Sequence, residues 1–283
     1  MILVDFSNLA YACILENLAT TKKTQADITI VRQMLLFSLR SNVKRFKREY
    51  GEVVICYDAD TYWRTDIFPH YKYKRKKDRE NSALNWASIH TCLDALKAEF
   101  KANLMYKVLS VERCEADDII GYLSHVHGPT SKIMIISGDK DFAQLQVHAH
   151  VHQYSPTLKK LIRDEFQKIT LKQQIIRGDF GDGVPNILSP DDVFVVGGRQ
   201  KPIMEKKLIG WLNMPIESFC TEGEMLKNFK RNEILIDLRN IPVEVKQRIG
   251  YAYETTNPAG RGAFLNYLIM SGLKDLAASV EDF

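Results

Sequence analysis

The chain has no uninterrupted apolar run approaching the length of a membrane span, so no part of it reads as a transmembrane helix. No basic segment precedes the apolar residues of the opening stretch MILVDFSNLAYA. That argues against a secretory signal peptide, and the stretch reads instead as a strand that starts at once, without an N-terminal partner-binding extension. There is no CxxC pair. Cys13, Cys56, Cys92, Cys114 and Cys220 are scattered and odd in number. A disulfide or zinc framework is therefore not expected, and reduced thiols in a cytoplasmic compartment are the simplest account. No internal repeat or low-complexity tract is present. Neither sign of charge dominates, and a net charge of +4 does not by itself assign a partner. The apolar and charged fractions are those of an ordinary globular protein, and 283 residues can form two domains.

Short apolar runs set the pattern. Ile2 to Phe6, Glu52 to Tyr57, Leu104 to Leu109 and Ile133 to Ile136 read as buried strands. Between them lie helical spacings, at Ile28 to Phe46, at Trp86 to Phe100 and after Glu115. This alternation predicts an α/β fold with a mostly parallel central sheet flanked by helices. Val147 to Tyr154 alternates and predicts a half-exposed strand, with Lys159 to Ile162 pairing beside it as a hairpin. Helical periodicity returns after Asp164, with helices expected at Met204 to Leu212, Glu222 to Lys230, Val243 to Tyr251 and Gly262 to Met270. We therefore expect an α/β domain over 1–165 and a helical domain over 166–283.

Acids cluster where this topology converges. Asp5 and Asp58 end two strands, Glu115, Asp117 and Asp118 open the helix after a third, and Asp139 and Asp141 follow the fourth in SGDKD. Asp179 and Asp182 stand in GDFGD. Ligands of open α/β sheets bind beyond the carboxyl ends of the strands. Each acid alone could cap a helix or face solvent. Packed together without a cation, most would have to take up protons. All-oxygen donors suit Mg²⁺ or Mn²⁺, and two such ions a few ångströms apart can hydrolyse phosphodiesters. Between His70 and Glu80 six basic residues (Lys72, Lys74, Arg75, Lys76, Lys77, Arg79) face two acids, with aromatics interleaved over Tyr62 to Arg79. The run reads either as a solvated loop or as a nucleic-acid contact that neutralises phosphates and offers stacking faces. His148, His150 and His152 suit a solvent-facing stripe better than one metal site, because alternate positions of a strand are spread too far apart.

In this order and at these intervals the segments CYDADTYWRTDI, PHYKYKRK, RCEADDIIGYL, KIMIISGDKDFAQL, QYSPTLKK, GDFGD, ILIDLRNIP and SVEDF resemble the structure-specific 5′ nuclease (flap endonuclease) superfamily, and within it the RNase H branch of the T-even bacteriophages. The resemblance covers most of the chain. It implies a PIN-like 5′ nuclease core followed by a helix–three-turn–helix-like element that opens at GDFGDGVPNI. One Mg²⁺ is implied mainly on Asp5, Asp58, Asp117 and Asp139. A second is implied near Asp141, Asp179 and Asp182, with Glu115 and Asp118 in or just behind the ligand set and Mn²⁺ able to substitute. Catalysis falls to Asp5, Asp58, Lys72, Asp117, Asp139, Asp141 and Asp182. Arg64, Lys72, Lys74, Arg75 and Lys76 become nucleic-acid contacts, in a basic arch over about 61–85, with Lys72 reaching the scissile phosphate. The chain departs from the family pattern at Gly183, where Asn is usual, and in VVGGRQKPIMEK, which replaces a glycine hairpin.

The resemblance implies a Mg²⁺-dependent 5′ to 3′ exonuclease and flap endonuclease that removes RNA primers and adjacent DNA during phage replication. RNA–DNA hybrid and flapped duplex are the expected substrates. A single-strand-binding protein and a sliding clamp are the implied partners, with a monomeric state, no membrane contact, and the host cytoplasm as location. Two other readings stand beside it, a PIN-like ribonuclease acting on single-stranded RNA and a non-catalytic branched-DNA binder.

Overall fold

Residues 1–221 and 223–283 are described by a computed structural model. Strands β1 (Ile2–Asp5), β2 (Val53–Tyr57), β3 (Lys107–Ser110), β4 (Ile133–Ile136) and β5 (Val151–Ser155) run parallel. β6 (Lys160–Ile162) pairs antiparallel with β5, as the expected hairpin. The order is β3-β2-β1-β4-β5-β6. The first three strands step outward from β1 and the chain then returns to place β4 on its other side. The point of reversal lies between β1 and β4, where a crevice opens beyond the strand ends.

The central strands β1, β2 and β4 are buried on both sides because helices cover both faces. Ile2, Val4, Ile55 and Tyr57 point to one face, packed against α1 (Phe6–Thr21), α2 (Ile28–Tyr50) and α5 (Trp86–Asn103). Leu3, Val54 and Cys56 point to the other, packed against α6 (Ala116–His127) and α10 (Val243–Thr255). A third cluster joins Phe68 and Tyr71 to α7 (Gln167–Arg177), α8 (Glu205–Leu212) and α9 (Gly223–Ile236). No helix of the described residues is long and apolar enough to cross a membrane.

The helices after residue 166 form most of the third cluster and also pack on the sheet domain. Leu238, Ile241, Val245 and Ile249 pack on α6, while Phe264 and Leu268 of α11 (Arg261–Met270) and Phe283 pack under α1, α2 and α5. Helical periodicity says that a face is buried but not against what. The strand expected from Val147 starts only at Val151 and is mostly buried. The preceding Lys140–Val147 instead winds as a 3₁₀ helix capped by Asp139, whose side chain accepts from the Asp141 N–H. The histidine stripe is absent too. His148 precedes the strand and its Nε2 lies 3.0 Å from His125 Nδ1, while His152 Nδ1 lies 3.2 Å from the Tyr50 hydroxyl. The helix expected from Glu222 is described from Gly223, and Glu222 lies outside the described residues.

Between α7 and α8 the chain runs through turns and one isolated bridge, Asp179 to Val184, in the region that the resemblance assigns to a helix–three-turn–helix-like element. Polar side chains of α9 pin these turns. Asn232 donates to the carbonyls of Ile175 and Pro185, Asn228 to those of Ile187 and Ser189, and Arg231 to that of Pro185. Each bond satisfies a buried carbonyl that has no helical partner. Gly183 sits at φ 71°, a left-handed conformation that Gly and Asn share, so the departure from the family pattern keeps the backbone path and loses an amide.

Candidate active site

Beyond the crevice between β1 and β4 lies a cleft of about 590 Å³ whose floor is formed by Asp5, Asp58, Asp117 and Asp139. Lys72, Arg75, Lys76 and Arg79 border the same cleft. These basic residues belong to or adjoin α4 (Tyr73–Glu80), within the region expected to form an arch. The end of α4 leans on α5: the Arg79 guanidinium lies 4.9 Å from the centre of the Trp86 ring and 3.4 Å from His90 Nε2.

The acids on the floor are held by neighbours that donate hydrogen bonds. Asp5 caps α1 by accepting the Asn8 N–H at 3.0 Å, and it accepts the Ser137 hydroxyl at 2.8 Å. Asp58 accepts the Ser7 hydroxyl at 2.6 Å and the Ala116 N–H at 2.9 Å. Gln153, fully buried, donates to the carbonyls of Ser137 and Asp139 and fixes the turn that carries Asp139. Thus the capping role and the position in the cleft coincide, because a strand that feeds a helix places its cap at the sheet edge.

Burial and mutual repulsion act strongly here. Burial, then the facing Asp58, pushes the Asp5 carboxyl up to about 7. Burial, then Asp139 and Glu115, raises Asp117 well above the carboxylate range. Burial, then Asp139 and Asp179, raises Asp141 to about 8. A second group, Asp117, Asp141, Asp179 and Asp182, lines a void of about 20 Å³, roomy enough for one water-sized species. Gln174 of α7 donates to Asp141 at 2.7 Å. Lys140 lies 3.1 Å from Asp179 and, with the Asp182 N–H, holds that carboxyl below its usual range against the effect of burial. Burial raises Asp182 although Lys72 and the ion-paired Arg75 oppose it.

Among the described residues no three His, Cys, Asp or Glu side chains stand close enough together to enclose an ion. The chemistry of the donor set still fits one. The oxygens are hard, six carboxylates line the larger cavity and four the smaller, with Asp117 shared, and a divalent cation between them would offset the repulsion that adds to burial in raising Asp5, Asp117 and Asp141.

Two expected roles are revised by position. Arg64 is only 2% exposed. It donates to Glu115 at 2.6 Å, pairs with Asp118 at 2.8 Å, and donates to the Leu235 carbonyl at 3.0 Å. So enclosed, it cannot reach a phosphate, and the expected nucleic-acid contact at Arg64 is corrected. Asp118 is fully buried, accepts the Trp63 indole N–H at 3.0 Å, and forms a capping box with Glu115. It stands behind the cleft as Arg64's counter-ion. Glu115 faces both ways. It accepts from Arg64 and from the Tyr71 hydroxyl at 3.0 Å, and it pairs with Lys72. Burial opposes its charge, but Lys72 and Arg64 outweigh burial and hold it down at about 2.

Lys74 sits over the Phe180 ring, and Arg75 donates to the Gly181 carbonyl at 3.2 Å, so α4 and GDFGD meet directly. Sequence reasoning missed Ser7, Asn8, Ser137, Gln153 and Gln174. The serines and Asn8 adjoin the acids in sequence and could have been found from that. Gln174 carried no such signal.

Removing Arg64 should therefore cost stability. Arg64→Met leaves Asp118 buried without its counter-ion, and we expect a loss of about 3–5 kcal/mol in urea unfolding. Nucleic-acid affinity of the folded variant should be unchanged, and a selective loss of affinity would restore Arg64 to the interface.

Residues 1–176 match the family described as 5′-3′ exonuclease, N-terminal resolvase-like domain, and residues 166–283 match that described as T4 RNase H, C terminal. The chain is 32% identical to ribonuclease H of Enterobacteria phage T4 over 99% of its own length and 95% of that protein's. It is 28% identical to a 5′-3′ exonuclease of Buchnera aphidicola subsp. Baizongia pistaciae over 54% of its length and 50% of the other's. Among solved structures, the bacteriophage T5 flap endonuclease in a pseudo-enzyme–product complex with DNA and metal ions superposes with a TM-score of 0.61 at 16% identity, over 89% of this chain and 97% of that one. A T5 5′-exonuclease with bound zinc gives 0.60 at 16% identity, over 90% and 98%. At that identity the structural matches speak for the fold.

Proposed function

The chain belongs to the 5′-3′ exonuclease family, and from that premise we propose that it is a divalent-metal-dependent nuclease that trims 5′ ends of RNA or DNA annealed to a template and cuts 5′ flaps, removing primers in phage-type replication. One observation carries the reading: Asp5, Asp58, Asp117 and Asp139 line a cleft at the reversal point of the sheet whose border is basic, with Lys72, Arg75, Lys76 and Arg79. A site for small neutral substrates would have no use for either charge. A binder without catalysis would gain nothing from acids that repel phosphate.

Asp5, Asp58, Asp117 and Asp139 would hold one Mg²⁺ ion, and Asp141, Asp179 and Asp182, together with Asp117, a second. Bound there, the ions supply an activated water and neutralise charge on the leaving oxygen. Ser7, Ser137, Asn8 and Gln153 keep the carboxylates aimed into the cleft. Glu115 stores Lys72 at the cleft wall, where Tyr62 lies 4.7 Å beneath the ammonium. From there Lys72 and Arg75 can turn to the substrate's phosphates, joined by Lys74 and Lys76. A single-strand-binding protein and a sliding clamp remain the proposed replication partners, and a monomer acting in the host cytoplasm the proposed working state.

The test is cleavage of a 5′-labelled RNA–DNA hybrid and of a flapped duplex, with Mg²⁺ or with chelator. We expect cleavage of both, abolished by chelation. Preference for unstructured RNA would point to the single-strand ribonuclease instead, and tight flap binding without turnover in Mg²⁺ or Mn²⁺ to the binder.

The raised carboxyls also predict how stability depends on pH. A carboxyl whose folded pKa lies above its unfolded value contributes stability that is complete below the unfolded value, about 4, and lost as pH rises through the folded one. For Asp5 and Asp141 the window runs from about 4 to about 7 and 8. In chelator the melting temperature should fall between pH 5 and pH 9. Mg²⁺ at pH 8 should restore it, because a ligand of the folded state alone stabilises that state. A melting temperature unaffected by Mg²⁺ at pH 8 would count against the metal site.

A further inference from the structure

We propose that Phe180 is a positioning residue that stacks on the nucleobase at the junction of single strand and duplex, and so sets where the strand is cut. The proposal rests on the nuclease reading above.

Phe180 lies between Asp179 and Asp182 and is 56% exposed. Its turn is rigid. Gly178 is at φ 70°, and a side-chain carbon there would stand 2.3 Å from the Val184 carbonyl oxygen. Asp179 bridges to Val184, and the Asp182 N–H donates to Asp179 at 3.1 Å. The foot of α4 clamps the turn from outside, with the Lys72 N–H donating to the Asp182 carbonyl at 2.7 Å. A ring held out at the tip of so constrained a turn loses little conformational freedom on meeting a ligand.

The surroundings suit a base. Phe194 packs against Phe180 in a T-shaped pair, with ring centres 5.2 Å apart and planes at 86°. The Lys74 ammonium lies over one face of the Phe180 ring, 4.3 Å from its centre, and a base stacking on that face would displace it towards the phosphate of the same nucleotide. Aromatic stacking accepts every base, which suits a nuclease that reads structure rather than sequence. A base within a duplex already has both faces covered. A free face exists only where the stack is interrupted. An aromatic ring fixed beside the carboxylates therefore holds the junction at a constant distance from the site of cleavage.

The experiment uses a flapped duplex with 2-aminopurine at the junction nucleotide, bound in chelator so that the strand stays intact, and the unlabelled duplex with Mg²⁺ for cleavage. Wild type and Phe180→Trp should quench the fluorescence and cut at one position. Phe180→Leu, which keeps an apolar side chain without the ring, and Phe180→Ala should lose the quench and bind about 5- to 100-fold more weakly. Both should spread cleavage over neighbouring positions, with the melting temperature unchanged because the ring is exposed. Equal quenching by wild type and Phe180→Ala, or a single unchanged cleavage position in Phe180→Ala, would overturn the proposal. Quenching by wild type without any cleavage would overturn the nuclease reading and leave the stacking role standing. Failure of wild type to bind the duplex would overturn both.

Discussion

Asp139→Asn should lower the rate of flap cleavage by about 10³-fold or more and at the same time make the metal-free protein more stable at pH 8. Asn keeps the side-chain oxygen that accepts the Asp141 N–H at 2.9 Å, so the cap of the following 3₁₀ helix survives. What disappears is a charge. Asp139 stands between the two groups of carboxylates and helps to raise Asp5, Asp117 and Asp141. Removing it relieves repulsion in the metal-free protein, which should melt higher at pH 8, and by little at pH 5. The same change removes an ion ligand, and a bound ion contributes several kcal/mol of transition-state stabilisation, at about 1.4 kcal/mol per factor of ten. Rate and metal-free melting temperature should therefore move in opposite directions. A variant that merely misfolds would lose both.

Lys72→Ala should lower turnover by about 10²- to 10³-fold while changing duplex affinity much less, because a cation aimed at the reacting phosphate acts mostly as charge develops. Burial opposes the charge on Lys72, but Glu115 and Asp182 outweigh it and keep the ammonium protonated throughout the working range. Glu115 retains Arg64 and Tyr71 when Lys72 is gone, so the loss should appear in kcat rather than in the urea midpoint. Equal losses in turnover and affinity would make Lys72 an ordinary phosphate contact.

Much of the site could be read from the chain because its signals are local. Asp5, Asp58 and Asp139 each follow a run of buried apolar residues, and a parallel sheet collects such ends along one edge. The acids of EADD were harder to separate. On a helix, positions three apart share a face, which pairs Glu115 with Asp118 and turns Asp117 elsewhere, as the structure places them. The partner that makes that face structural, Arg64, lies about fifty residues away in a stretch whose basic and aromatic composition suggested a surface. Its burial depends on Trp63, Tyr71 and the Leu235 carbonyl coming together, and none of these is visible locally. The return of Phe264, Leu268 and Phe283 to the first core was hidden for the same reason.

The central claim is that these carboxylates hold divalent ions. A crystal soaked in Mn²⁺ and measured for anomalous scattering tests it most directly. The account predicts one peak about 2.1 Å from oxygens of Asp5, Asp58, Asp117 or Asp139 and a second against Asp141, Asp179 or Asp182. It also predicts that Asp139→Asn weakens or removes the first. A map with no peak in either place, from crystals whose cleft is open to solvent, would contradict it.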